Sequence, residues 1–446
     1  MREMKDSGIE WIGGIPSSWN IIRLKNCIAT RNGGAWGDEP GRDEKDCICF
    51  RVADIDYDLL RLRQSSQLTI RSYKEKVFNQ LLLRKGDILI EKSGGGEKTP
   101  VGRAVLFDKD CEALFANFLE RIRTNDSVCP EFLLYILSTF YDTQYICKYI
   151  KQTTGIQNLD ISGMLSSVMI ATPDIITQKK IADYLDSKCS QIDLIIEKQK
   201  QIIEKLKEYK TSLITEVVTK GLDPNVEMKD SGVEWIGKIP KHWCYLAFRN
   251  VLFERTEKND PICTNERLSL SIDKGVTLYA EKTTNLDRFK DDVSQYKLAY
   301  EGDLVLNSMN MIVGAVGVSN YFGCVSPAYY TYYDNKADHI TSRYCDYLFR
   351  CKTMRKVLFS LGKGIMSIDR GDDRINTCRL KVSRTDLRAL KIPVPPEAEQ
   401  RKIVNFLNQK EITINKTISD RQIAIEKLQE YKKSLIYEVV TGKREV

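Results

Sequence analysis

Two stretches of the chain carry apolar residues at heptad spacing. Every seventh residue from Leu185 gives Leu185, Ile192, Gln199, Leu206 and Leu213, with companions Lys188, Ile195, Ile202, Tyr209 and Glu216. The later stretch gives Leu407, Ile414, Arg421, Leu428 and Leu435, with companions Lys410, Thr417, Ala424, Tyr431 and Glu438. Such a seam, with polar interruptions, predicts two long helices packed along their length. Proline disfavours helix in the residue before it and fits the first turn. Pro173 and the cluster Pro393, Pro395 and Pro396 therefore place the helix starts near Thr177 and Glu397. Gly221 and Gly442 mark the ends. About 42 residues at ~1.5 Å each span roughly 60 Å. Elsewhere the pattern is one of short β-type runs, such as Asp87–Glu91 and Leu304–Leu306, separated by glycine-rich loops. Compact α+β domains with curved sheets are expected there.

These elements occur twice. Residues 4–19, MKDSGIEWIGGIPSSW, return at 228–243 as MKDSGVEWIGKIPKHW, with twelve of sixteen positions identical at an offset of 224. The closing helix IEKLKEYKTSLITEVVT at 203–219 returns at 425–441 with fourteen of seventeen matches at an offset of 222. Gln178-Lys179-Lys180-Ile181 is echoed by Gln400-Arg401-Lys402-Ile403. Between these blocks the two middles share only a skeleton. Gly86-Asp87-Ile88 stands against Gly302-Asp303-Leu304, and Val101-Gly102 against Val313-Gly314. Like frames with unlike interiors imply one mechanical task and two different recognition tasks.

Composition narrows the chemistry. With 42% hydrophobic and 29% charged residues the chain is of a globular type. Lysine and arginine number 68 against 61 aspartates and glutamates, a net charge of +7 that permits a nucleic-acid partner without demanding one. Neither a secretory leader nor an apolar run of ~18 residues is present, so a soluble cytoplasmic protein with no membrane segment is expected. The thirteen cysteines show no metal-binding spacing, and the only close pair, Cys47 and Cys49, fits neither a zinc site nor a CxxC motif. The only histidines, His242 and His339, leave little supply for a nucleophile–histidine pair. Ser93-Gly-Gly-Gly-Glu97-Lys98-Thr99 is not a phosphate loop, because Glu97 stands where glycine must precede the lysine. The run Asp223…Glu227-Met228-Lys229 has the letters of a nuclease site. Glu3-Met4-Lys5 repeats them with no acid upstream, which marks the match as chance. No dinucleotide or S-adenosylmethionine loop and no Asn/Asp-Pro-Pro-Tyr/Phe signature occurs.

The repeated opening block, the Gly-Asp strand, the loop Lys92–Gly96 with Val101-Gly-Arg103, the turn Pro395-Pro396…Glu399-Gln400 and the closing EKLKEYKTSLITEVVTG helix resemble specificity subunits of type I restriction–modification enzymes. The match runs through nearly the whole chain, twice, in the family's order. One departure is the first turn, Ala171-Thr-Pro-Asp-Ile175, which lacks the paired prolines and the glutamate. Another is the charged stretch Asp369–Arg374.

The resemblance implies an α+β chain with two target-recognition domains with curved β-sheets. Two long helices, paired as an antiparallel coiled coil, give it an internal pseudo-twofold repeat. The expected division is 1–176 and 222–396 for the domains, with 177–221 and 397–442 for the helices. The resemblance further implies double-stranded DNA as ligand, with two modification subunits and restriction subunits as protein partners. S-adenosylmethionine, ATP and magnesium would belong to those partners, and this chain would hold no cofactor, no metal and no catalytic residue.

Residues that read bases should differ between the copies. Asn, Gln and Arg offer the bidentate patterns that distinguish adenine and guanine edges. In the first domain the base-reading candidates are Arg31, Asn32, Arg51, Thr153, Thr154, Gln157 and Asn158. Lys92, Ser93, Lys98 and Arg103 around the glycine loop are candidates for phosphate approach. In the second domain the candidates are Ser271, Asn307, Asn310, Lys363 and Arg374. Each is weighed against the bland reading of a solvated loop residue. The tryptophans at 11, 19, 235 and 243 recur identically in both opening blocks, which assigns them to packing. Two rival classes are an autonomous nuclease or methyltransferase and a coiled-coil scaffold without DNA affinity.

Overall fold

A computed structural model describes residues 2–41, 45–63, 67–97, 99–153, 155–232, 236–281, 292–364 and 380–446. The chain forms two compact units, Met1–Lys200 with Gln422–Val446, and Gln201–Arg421. Each long helix therefore contributes to both.

The first long helix runs over Ile175–Lys220 and the second over Glu397–Val440. The first begins two residues before the expected Thr177 because Asp174 caps it. Its carboxylate accepts from the Thr177 amide at 3.0 Å and from the Thr177 hydroxyl at 2.7 Å. The repeated glutamines explain themselves. Buried Gln178 donates to the Pro173 carbonyl at 3.0 Å and the Ser127 carbonyl at 3.3 Å, and it accepts from the Cys129 amide at 3.0 Å. Gln400 donates to the Pro395 carbonyl at 2.9 Å. Each amide ties the start of its helix to the proline segment before it.

The heptad seam needs one correction. Leu185, Ile192, Leu407, Ile414 and Leu435 are buried as expected, but the companions lie four residues on, not three. Cys189, Ile196, Ile203 and Val217 are buried, as are Ile425 and Val439, whereas Ile195, Ile202, Tyr209 and Tyr431 are exposed. The true companion row is interrupted by Lys210, Glu411 and Lys432. In unit 1, Lys432 Nζ meets the two Asp193 carboxylate oxygens at 2.7 and 2.8 Å. In unit 2 the repeat-equivalent Lys210 donates to Asn415 Oδ1 at 3.1 Å and lies 3.7 Å from Glu411 Oε1. A Cβ at Gly221 would lie 2.9 Å from Glu399 Oε1, so numbers rise along one helix as they fall along the other. The pairing is antiparallel.

The opening blocks close the helix ends. Trp11, Trp19 and Trp243 are buried, in keeping with a packing role, while Trp235 lies outside the described residues. Gly442, at φ +73°, sits so close to Pro16 that a Cβ would come within 2.4 Å of its ring, with Trp19 at 3.2 Å. In unit 2, Gly221 at φ +81° approaches Trp243 and Pro240 in the same manner. The repeated lysines turn back on the block itself, Lys5 to the Ser17 carbonyl at 2.9 Å and Lys229 to the Trp243 carbonyl at 2.7 Å.

In unit 1 a six-stranded sheet runs in the order 28–33, 119–124, 88–91, 104–106, 61–62, 55–56. Its strand Ile88–Glu91 is wholly buried over a core including Phe50, Phe107 and Phe115. In unit 2 a four-stranded sheet runs in the order 253–255, 329–333, 304–307, 316–318. Its core includes Phe248, Tyr332, Tyr344 and Phe349. The two middles can be superposed by their hydrogen bonds. The Leu159 amide donates to the Lys92 carbonyl at 2.8 Å, and the Val382 amide donates to the Ser308 carbonyl at 3.0 Å. Each bond anchors a hairpin beside the strand that follows the Gly-Asp pair.

Candidate nucleic-acid interface

In unit 1 that hairpin comprises Ile150–Thr153 and Ile156–Leu159, and its second strand pairs with Ser93–Gly94. The register sets Ser93 against Asn158 and Gly94 against Gln157. The Ser93 hydroxyl donates to Asn158 Oδ1 at 2.7 Å. Gln157 is buried, and its carbonyl oxygen accepts from the Val101 amide at 3.2 Å. The glycine loop owes its composition to this packing. A Cβ at Gly95, at φ +63°, would fall 2.8 Å from the Val101 amide and 2.9 Å from Gln157 Oε1. The half-buried Lys92 extends to Gly33, where a Cβ would lie 3.0 Å from its Nζ. Arg31, on the strand Ile28–Gly33, donates to Ser162 Oγ at 2.7 Å and lies 3.4 Å from Glu120.

The structure therefore brings Lys92, Ser93, Gln157 and Asn158 together, with Thr153 on the same small sheet. Lys98 and Thr154 lie outside the described residues. Three candidates are committed elsewhere. Asn32 accepts from Arg121 at 2.6 Å, and Arg51 folds onto Asp54 at 3.0 and 3.1 Å. Arg103 holds Glu91 at 3.1 Å, with its guanidinium 3.5 Å from the centre of the Tyr57 ring. Burial pushes the Glu91 carboxyl up despite that arginine. Lys151, which sequence reasoning missed, pairs with Asp160 at 2.8 Å and holds that carboxyl below its usual range, helped by the Gly163 amide. Arg103 also lines a cavity of about 940 Å³ in this unit. The walls of that cavity include Asp56, Asp58, Glu97, Glu197 and Glu430, a sign of charge unsuited to phosphate.

Unit 2 places its candidates differently. Ser271 Oγ accepts from the Lys274 amide at 3.2 Å and shapes the turn between Leu268–Ser271 and Gly275–Leu278. Buried Asn307 accepts from the Met309 amide at 3.0 Å and the Asn310 amide at 3.3 Å, a turn-forming role. Asn310 is exposed, and Arg374 lies outside the described residues. Lys363 pairs with Asp386 at 3.0 Å. Beside it stand Lys381 and Arg384, which sequence reasoning missed. The available signal was the run Lys381-Val-Ser-Arg384, where Ser383 caps the helix Arg384–Ala389 and so fixes both cations near one strand end. Among the described residues no group of three or more histidine, cysteine or acidic side chains is arranged to hold a metal, and no helix is long and apolar enough to cross a membrane.

Residues 45–214 match the type I restriction modification DNA specificity domain. The chain is similar to the putative type I restriction enzyme MjaX specificity subunit of Methanocaldococcus jannaschii, with 23% identity covering 97% of this chain and 95% of that one. It is 27% identical over 202 residues to the MjaVIII specificity subunit of the same organism, which covers 44% of this chain and 45% of that one. Among solved structures it is similar to a chain from work on complex assembly and conformational transition of the type I R-M system, with a TM-score of 0.67, 14% identity and coverage of 96% and 99%. It is also similar to the HsdS subunit from Thermoanaerobacter tengcongensis, with a TM-score of 0.53, 14% identity and coverage of 96% and 98%. These structural likenesses show a shared fold.

Proposed function

Because this chain belongs to the specificity subunits of type I restriction–modification enzymes, we propose that its two middles each read one half of a bipartite sequence in double-stranded DNA. The paired long helices set the spacer between the halves and dock two modification subunits. Restriction subunits complete the assembly. S-adenosylmethionine, ATP and magnesium serve those partners, and this chain contributes recognition without chemistry. One observation carries the reading. Hairpins anchored by matching main-chain bonds, Leu159 to Lys92 and Val382 to Ser308, bear unlike side chains. Lys151 faces Asn158 in one, and Lys363 faces Lys381 in the other. A common frame with different polar surfaces is what two independent readers require.

The test is a domain exchange. Residues 20–175 are replaced by the corresponding middle of a related subunit, and methylation is mapped in cells that carry the modification subunit. One half-site changes and the other stays. If both halves change together, the two middles do not read independently.

A further inference from the structure

We infer that the pocket of unit 2 lined by Tyr330, Lys363, Lys381, Ser383 and Arg384 grips a backbone phosphate of the DNA; the inference rests on the reading above. The pocket has a volume of about 450 Å³, and among the described residues no carboxylate lines it. The Tyr330 hydroxyl donates to the Val382 carbonyl at 3.0 Å, which ties that ring to the strand beside it. Two cations approach the Tyr330 ring, Lys297 with its ammonium 5.6 Å and Arg384 with its guanidinium 6.0 Å from the ring centre.

Positive charge here exceeds what the neighbouring acids offset. Glu254 holds Arg384 at 2.9 Å and lies 3.7 Å from Arg388, and Asp386 holds Lys363 at 3.0 Å. Among the described residues Lys297 has only the neutral Tyr329 carbonyl as hydrogen-bond partner, at 2.6 Å. Exposed Lys381 has no carboxylate partner among the described residues. Burial, and then the nearby Arg384 and Lys381, push the Lys297 ammonium below its ordinary range, although Glu254 opposes the trend. An anion that enters the pocket relieves this repulsion.

The position selects a phosphate over other anions. The pocket lies at the base of the hairpin Gly362–Lys363 and Lys381–Val382, the counterpart of the unit 1 hairpin that gathers Ser93, Gln157 and Asn158. Counted from the anchoring amides of Leu159 and Val382, unit 1 has Asn158 where unit 2 has Lys381, and Ile161 where unit 2 has Arg384. The second domain therefore holds the backbone more through charge than the first does. Phosphate contacts position a reader without specifying sequence.

The full-length chain is titrated onto a fluorescent mixed-sequence duplex over a range of salt. Wild type is compared with Lys363→Ala/Lys381→Ala and with Lys352→Ala, an exposed lysine outside the pocket. Each lost phosphate contact lowers the slope of log affinity against log salt by ~0.9, which is about eightfold in affinity at ~0.1 M relative to ~1 M salt. The double variant loses at least that much, and Lys352→Ala matches wild type. Thermal unfolding checks that the exposed substitutions leave the fold intact. A double variant with the wild-type slope and affinity overturns the phosphate grip and leaves DNA reading standing. A wild-type chain whose affinity ignores salt overturns both.

Discussion

Arg255 holds Asp303 through two hydrogen bonds, Nε to Oδ2 at 2.7 Å and Nη2 to Oδ1 at 3.1 Å. Asp87, at the matching position of unit 1, is held by Arg123 at 2.6 and 2.7 Å. Both aspartates are about 1% exposed, and each also accepts from a main-chain amide, Arg84 for Asp87 and Tyr300 for Asp303. The arginines come from different strands, however. In unit 1 the counterpart of Arg255 is Asn32, occupied by Arg121. The Gly-Asp pair survives in both copies because it fixes the start of a buried strand, while the cation that neutralises it has been supplied independently.

Removing that charge is therefore costly in either unit. Breaking a buried ion pair on one side destabilises by about 3–5 kcal/mol. Asp303→Asn and Asp87→Asn should each lower the melting temperature by roughly 6–20 °C, at ~2–4 °C per kcal/mol for units of this size. Differential scanning calorimetry reads the shift. An unchanged melting temperature would mean that the arginine finds another partner.

The cysteines give a pH dependence with a defined sign. Burial pushes the Cys27 thiol up to about 12, and burial is also the main reason that Cys47, Cys129 and Cys189 rise to about 11. In the unfolded chain these thiols ionise near ~8.5, so above that pH the unfolded state has lost protons that the folded state retains. Their contribution is complete below pH ~8.5 and is lost as pH rises towards 11–12. Urea midpoints should fall between pH ~8 and ~10. Under native conditions iodoacetamide should label exposed Cys147, Cys244 and Cys263 and spare the buried thiols.

On the proposed reading, the spacer between half-sites should respond to helix length. Four helix-forming residues inserted after Lys200 and four after Gln422, its repeat equivalent, add about 6 Å to each helix at ~1.5 Å per residue. They also add a net turn of ~40°, at ~100° per residue. A DNA base pair advances ~3.4 Å and turns ~35°, so the rotation matches one added pair and mismatches two. Methylation mapping should show a spacer longer by one base pair with both half-sites unchanged. An unchanged spacer in a variant that still methylates sinks the idea.

Much of this architecture was legible because it was written twice. The repeat disclosed the opening blocks, the two long helices and the glutamines that tie them down, since packing constrains those positions in both copies. The helix companions were misplaced because both candidate rows carry isoleucines, Ile195 and Ile202 in one and Ile196 and Ile203 in the other, and a seven-residue repeat alone does not choose between them. A charge buried by its partner cannot be told from a solvated one by periodicity. The candidate site was legible only in part, for the same reason. Arg51 and Arg103 read as free cations until Asp54 and Glu91 are seen beside them. Lys381 and Arg384 gain meaning only from the strand end that brings them to Tyr330.

The charged seam positions themselves can be tested against the internal repeat. In unit 1 the 12%-exposed Lys432 side chain meets Asp193, while in unit 2 the equivalent Lys210 meets Asn415 and Glu411. Unit 2 therefore already works with an amide where unit 1 has a carboxylate. Asp193→Asn reproduces that pairing and should cost under ~1 kcal/mol. Lys432→Met removes the cation and leaves the Asp193 carboxylate against an apolar seam, a loss of about 1–3 kcal/mol. Replacing both, Lys432→Met with Asp193→Leu, removes the stranded charge and should recover most of the stability. Urea denaturation of wild type, Lys432→Met, Asp193→Leu and the double variant gives the coupling, expected at about 0.5–3 kcal/mol. Additive single effects would show that the two side chains lie close without depending on each other, and that apolar packing alone sets the register of the helices.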